Sequence, residues 1–197
     1  MITSIDQLDI NAQYSYADYL TWRFTERIEL IKGHIFKMSP APLMKHQSVS
    51  SNLTGILWNY LNGKPCQLFH APFDVRLLDS KKVKNKADDQ VYTVVQPDIC
   101  IVCDKEKLDL KGCVGAPDLI IEITSKSTKK RDVTDKFRLY EENGVLEYWI
   151  VLPDSELIEV FDLKDGKFEF RKNYVDDDLI PVGIFPEFSV EVNRIFS

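Results

Sequence analysis

Two apolar periods alternate along the chain. In "HQSVSSNLTGILWNYLNG", Val49, Leu53, Ile56, Leu57 and Tyr60 recur at three- and four-residue spacing ahead of Gly63. That spacing predicts an amphipathic helix resting on a sheet. A shorter helix is predicted in "SYADYLTWRF", with Ser15 as its N-cap. Next, "RIELIKGHIFKMS" reads as a hairpin turning at Lys32 and Gly33. The middle is strand-rich: "QLFHAPFDVRLL", "VYTVVQPDICIVCD" and "APDLIIEITS". A helix follows in "DVTDKFRLYEENG", stopped at Gly144, and then come the strands "LEYWIVLP", "LIEVFDL" and "KFEFRKNYV", the last two joined by "KDG". This order predicts a mixed α/β (α+β) domain with a central sheet flanked by helices and extended by hairpins.

Composition narrows the class. With 197 residues, 44% hydrophobic and 28% charged, the chain suits one globular domain spanning 1–197. No window approaches the roughly 18 apolar residues of a membrane span, and "MITSIDQLDINAQYS" lacks the basic start and apolar centre of a secretory signal. The cytoplasm is the expected location, with no membrane partner. Cys100 and Cys103 have the C-x-x-C spacing, but on a strand they point to opposite faces and cannot converge on one zinc. All four cysteines, Cys66, Cys100, Cys103 and Cys113, are expected as reduced thiols packed in the core. A net charge of −6 excludes a broad basic coat for nucleic acid but leaves room for a focused site. Two basic runs exist, Lys81 to Lys86 and Lys126 to Arg131; the first reads as a solvated loop.

The informative feature is an acid inside an apolar strand. In "PDLIIEITS", Asp118, Ile120, Glu122 and Thr124 share one face by alternation. Asp118 and Glu122 are separated by about 13 Å of strand, too far to share a cation whose ligand bonds are about 2.1 Å. Asp118 reads instead as a turn residue. If "PDICIVCD" and "PDLIIEITS" pair as antiparallel neighbours with paired positions summing to 220, Asp98 falls opposite Glu122. Opposed Cα atoms lie roughly 5 Å apart, so the two carboxylates repel and favour protonation of one or a cation between them. A register slip of one residue would send Asp98 to the other face.

The following helix supplies the counter-charge. With Val133, Phe137 and Tyr140 as its buried stripe, Lys136 falls about 65° from the stripe's centre, able to reach over the sheet edge towards Glu122. Arg131 and Arg138 point outward. Lys126 is nearer in sequence but lies past the strand end, and ranks second.

Together, "VVQPDICIVCD", "GAPDLIIEITSKST" and "RDVTDKFRLYEENGVLEYWIVLP", with "RIELIKGHIFKMSPAP" and "HQSVSSNLTGIL", resemble the Uma2 family, a group assigned to restriction endonucleases. The resemblance covers nearly the whole chain and implies the PD-(D/E)XK nuclease fold, with a mixed central sheet flanked by helices. It implies a site of an Asp on one strand and an acid-x-Lys on the next, binding a divalent metal that activates water. Pro97 and Asp98 match the first element and Glu122 matches the acid. The lysine position holds Thr124, so the resemblance implies a lysine moved to the following helix, which the helical phase assigns to Lys136. A further acid earlier in the chain is typical of such sites, and Glu29 in "RIELIKG" is the candidate; His46 could line the cleft.

These readings lead to a magnesium- or manganese-dependent endonuclease acting on nucleic acid, DNA foremost, with Asp98 and Glu122 as metal ligands and Lys136 beside them. Lys126, Lys129, Lys130 and Arg131 would contact the phosphate backbone, and a homodimer would suit paired cuts. Two alternatives remain open: a nuclease-fold binding module without cleavage, and a structural ion pair in a protein of unrelated function.

Overall fold

The computed structural model describes residues 2–38, 43–78, 87–124 and 132–197, residues 132 and 133 by backbone alone. Lys81 to Lys86, Lys126, Lys129, Lys130 and Arg131 lie outside the described residues.

Local chemistry sets the first elements. Ser15 caps α1 (Tyr16–Tyr19) through a reciprocal exchange with Asp18. The hairpin of β1 (Ile28–Ile31) and β2 (His34–Lys37) turns at Lys32 and Gly33, both with positive φ, as a two-residue turn of this hand requires. The long helix α2 (Met44–Leu61) buries Val49, Leu53, Leu57 and Leu61, the face its spacing predicts.

Two of the expected long strands are broken. "QLFHAPFDVRLL" divides into β3 (Gln67–His70) and β4 (Val75–Leu77) at Ala71–Pro72, and "VYTVVQPDICIVCD" into β5 (Thr93–Val95) and β6 (Ile99–Val102) at Gln96–Pro97–Asp98. Proline cannot donate to a ladder, so each becomes a corner at which the chain changes sheets. After β7 (Leu108–Asp109), β8 (Gly112–Val114) and β9 (Leu119–Ile123), a π-helical turn over Asp132–Lys136 leads into α3 (Phe137–Asn143), which Gly144 ends in the left-handed conformation. Then follow β10 (Glu147–Leu152), β11 (Leu157–Lys164), β12 (Lys167–Tyr174), β13 (Leu179–Pro181), β14 (Ser189–Glu191) and α4 (Asn193–Phe196).

The mixed α/β class is as expected, and its described strands divide into two sheets of six and a small pair. The orders are β2-β1-β5-β4-β8-β7 and β12-β11-β10-β9-β6-β3, with β13 beside β14. Both large sheets are mixed, through the parallel pairs β4·β8 and β9·β10. In the second sheet, Ile99, Ile101, Leu119, Ile121 and Trp149 face α2. Cys100, Ile120, Tyr148 and Ile150 face the opposite way, towards α3 and the first sheet. Burial on both sides explains why these strands read as continuous apolar runs.

Away from this corner, Glu147 is a buried acid with its own partners. It accepts from Trp149 Nε1 at 2.9 Å, Arg171 Nη2 at 3.1 Å and the Ile184 N–H at 3.1 Å, fastening the C-terminal segment to the sheet.

The cysteine expectation is half corrected. Cys100 and Cys113 are buried free thiols, but Cys66 and Cys103 form a disulfide. Gln67 pairs with Val102 in the β3·β6 ladder, so the next step sets Cys66 opposite Cys103. That cross-strand relation is invisible until the two strands are known to pair. The cross-link spans 37 residues, and closing a loop of that size stabilises a fold by about 4 kcal/mol on the chain-entropy account. Wild type under reducing agent, and the Cys66→Ala/Cys103→Ala variant, should therefore melt roughly 10 °C lower than the oxidised protein. A melting temperature indifferent to reducing agent would show two thiols instead.

Candidate active site

The corner Gln96–Pro97–Asp98 carries the chain from the first sheet to the second, and the candidate site forms around it. On its first-sheet side, the Gln96 N–H donates to Glu29 Oε1 at 2.9 Å. On its second-sheet side, Asp98 Oδ2 accepts the Ile123 N–H at 2.8 Å. The β6·β9 ladder is antiparallel with Ile99 opposite Ile121, and the same register continued one step sets Asp98 opposite Glu122. Asp118 belongs elsewhere: its Oδ2 accepts the Cys103 N–H at 2.7 Å at the strand entry.

Lys136 closes the arrangement. Its Nζ lies 2.9 Å from Glu29 Oε1 and donates to Glu122 Oε1 at 3.0 Å. All three side chains are about 95% buried, Lys136 more deeply than a flank position predicts. Placing charges out of water costs several kcal/mol each, so their mutual contacts are what make the burial tolerable. Glu122 Oε1 also accepts from Tyr140 at 2.6 Å. Burial pushes the Tyr140 hydroxyl well above its ordinary pKa, and the charges of Glu122 and Glu29 add to the rise, so it stays a donor. Lys136 and Tyr140, four residues apart, stand on the same helix face.

The N-terminal turn of α2 brings His46 to the opposite side of Asp98, with Nε2 3.3 Å from Oδ1. Burial alone lowers the imidazole's pKa, but the hydrogen bond to Asp98 and its charge outweigh that, and the net shift is upward from 6.5. Thr124 lies one pleat beyond Glu122 and is 4% exposed; its N–H reaches the Val151 carbonyl while its Oγ1 has no hydrogen-bond partner among the described residues.

The sequence-derived residues Asp98, Glu122, Lys136, Glu29 and His46 are thus linked by direct contacts or register. Two residues were missed. Tyr140 was read as part of an apolar stripe, although its spacing from Lys136 already placed its hydroxyl beside any partner of that lysine. Gln96 acts through its backbone N–H, which no side-chain pattern reveals; its side chain donates to Asp74 at 2.8 Å.

The donors are carboxylate oxygens, suited in kind to a hard divalent cation. Among the described residues no three His, Cys, Asp or Glu side chains lie close enough to form a metal cluster. A cation taken here would rest on two protein carboxylates, as magnesium often does when water and phosphate supply the rest. No helix of the described residues is long and apolar enough to cross a membrane.

The scaffold is a mixed α/β one, with acids and a buried lysine gathered at a sheet corner. The same fold is found in the crystal structure of a protein from Anabaena variabilis described as "a putative nuclease belonging to DUF820", with a TM-score of 0.71 at 20% identity over 93% of this chain and 97% of that one. The sequence profile of the Uma2 family, described as "Putative restriction endonuclease", matches residues 16–193, and the chain belongs to that family. An uncharacterised protein of Synechocystis sp. is 27% identical over 179 residues, covering 89% of this chain and 88% of the relative.

Two outcomes follow from the contacts. Replacing the ammonium in Lys136→Met leaves Glu29 and Glu122 without it and should cost about 3–5 kcal/mol in urea unfolding; a variant as stable as wild type would show the bridge to be immaterial. Because the folded pKa of His46 is raised, its link to Asp98 stabilises fully below pH 6.5 and is lost as pH rises through the folded value. Asp98→Asn should therefore destabilise more at pH 6 than at pH 8.5. In NMR titrations it should lower the His46 pKa, since only the backbone contacts at Ile123 and His46 then oppose burial; an unmoved midpoint would refute the coupling.

Proposed function

We propose that the chain is a magnesium- or manganese-dependent endonuclease hydrolysing phosphodiester bonds of nucleic acid, with DNA as the principal substrate. The observation that supports this most is the arrangement at the sheet corner: Asp98 in register with Glu122, and Lys136 Nζ 3.0 Å from the Glu122 carboxylate. Asp98 and Glu122 would hold the ion. When bound, a divalent ion lowers the pKa of a coordinated water and acts as a Lewis acid on phosphate oxygens.

The chain's own groups prepare that setting. Tyr140 and Lys136 fix the Glu122 carboxylate from one helix face, and the Ile123 N–H and His46 fix Asp98. Glu29, held by the Gln96 N–H, keeps the Lys136 amine beside Glu122. The buried Thr124 hydroxyl, without a partner among the described residues, is suited to a water or a substrate oxygen at the same strand end. Lys126, Lys129, Lys130 and Arg131, which follow Thr124 in sequence, would meet the phosphate backbone. A homodimer would present two such sites to a duplex.

One observation favours a second reading, a nuclease-fold module that binds without cutting. The amine that should serve the scissile phosphate is already shared by two carboxylates.

Calorimetric titration with magnesium and manganese, followed by nicking of supercoiled plasmid, separates the readings. Wild type should bind metal and nick. Asp98→Asn and Glu122→Gln should weaken metal binding and slow nicking at least 100-fold, the scale expected when a charged group is removed from a preorganised site. No metal binding by wild type ends the nuclease reading, and metal binding without nicking of duplex, single-stranded or RNA substrates leaves the module.

A further inference from the structure

We propose that the outer face of α2 is a self-complementary interface on which a second copy of this chain packs antiparallel. This extends the homodimer of the proposed function by naming its surface, and its test reads mass rather than cleavage.

At about 100° per residue, Met44, Ser48, Ser51, Gly55, Trp58 and Asn62 fall on one stripe, diametrically opposite the buried Val49, Leu53 and Leu57. Outer helix faces ordinarily carry charge. This one carries none: from Gln47 to Gly63 there is no Asp, Glu, Lys or Arg, in a chain of net charge −6. Large apolar groups stand in its place, with Met44 84% exposed and Trp58 60% exposed.

Gly55 supplies an independent observation. It sits inside the helix, where glycine is a poor residue, and a Cβ built on it meets nothing within 4 Å. Nothing among the described residues requires a glycine there. A neighbouring backbone approaching closely would.

The occupant follows from charge and symmetry. A two-fold axis sets each residue near it against its own copy, so any charge on that face meets its like, and an uncharged face escapes that penalty. Nucleic acid would need a basic surface, and a membrane would need Lys and Arg flanking the apolar stripe. Met44 and Trp58 lie seven residues either side of Ser51, about 10 Å along the axis. An antiparallel pairing centred on Ser51 brings Trp58 over Met44 of the partner subunit and sets Gly55 near Ser48 of the partner subunit. Aromatic anchors of this kind dominate interface energetics.

Sedimentation equilibrium of the full chain should give twice 22.8 kDa. Trp58→Glu should weaken dimerisation by roughly 30-fold or more, with an unchanged circular dichroism spectrum. Ser51→Cys should cross-link to itself under mild oxidation, whereas Leu110→Cys, exposed in the turn between β7 and β8, should not. A mass of one chain at every concentration overturns the proposal. So does a dimer that Trp58→Glu leaves intact and in which Ser51→Cys fails to cross-link. Loss of plasmid nicking bears only on the nuclease reading.

Discussion

The buried ammonium of Lys136 is the constraint on which the site rests. Glu29 comes from the first sheet, Glu122 from the second, and neither carboxylate could be carried into the interior without a positive partner. One amine serves both, so the contact that neutralises them also holds the two sheets in a fixed relation. Such ion clusters are seldom retained for stability alone, since apolar substitutes of similar volume often do as well. Their value lies in placing charge reproducibly where water is excluded.

Two backbone features make that placement possible. The Gln96–Pro97–Asp98 corner breaks what would be one strand, and its groups are divided between the sheets: the Gln96 N–H to Glu29, the Asp98 carboxylate to the Ile123 N–H. The π-helical turn over Asp132–Lys136 precedes α3, and such irregular turns are common where a helix must aim a functional group. From its end, Lys136 and Tyr140 reach the same oxygen of Glu122, leaving that carboxylate little freedom to rotate.

Much of this was legible in the sequence because the relevant rules are local or periodic. Strand alternation and a short connection pointed to the β6·β9 register that the ladder shows, and helical phase selected Lys136 over Lys126. The two-sheet architecture was not legible, since a proline in an apolar run marks a break without saying where the chain goes next. The Cys66–Cys103 cross-link likewise depends on β3 pairing with β6, a contact between strands about thirty residues apart. A further ambiguity is chemical. Glu147 interrupts "LEYWIV" much as Glu122 interrupts "LIIEI", and pattern alone ranks them equally.

What separates the two acids is the identity of their partners. Glu147 is met by an indole N–H, a backbone N–H and the Arg171 guanidinium, and the acid opposite it in register, Asp162 on β11, is neutralised by that same guanidinium. Glu122 is met by the Tyr140 hydroxyl and the Lys136 ammonium, and that ammonium is shared with Glu29 from the other sheet, while Asp98 holds the next N–H along the same strand. A buried acid becomes a functional candidate when its counter-charge is shared with an acid from another sheet, and neither burial nor ladder register alone carries that information, since Glu147 too has an acid opposite it.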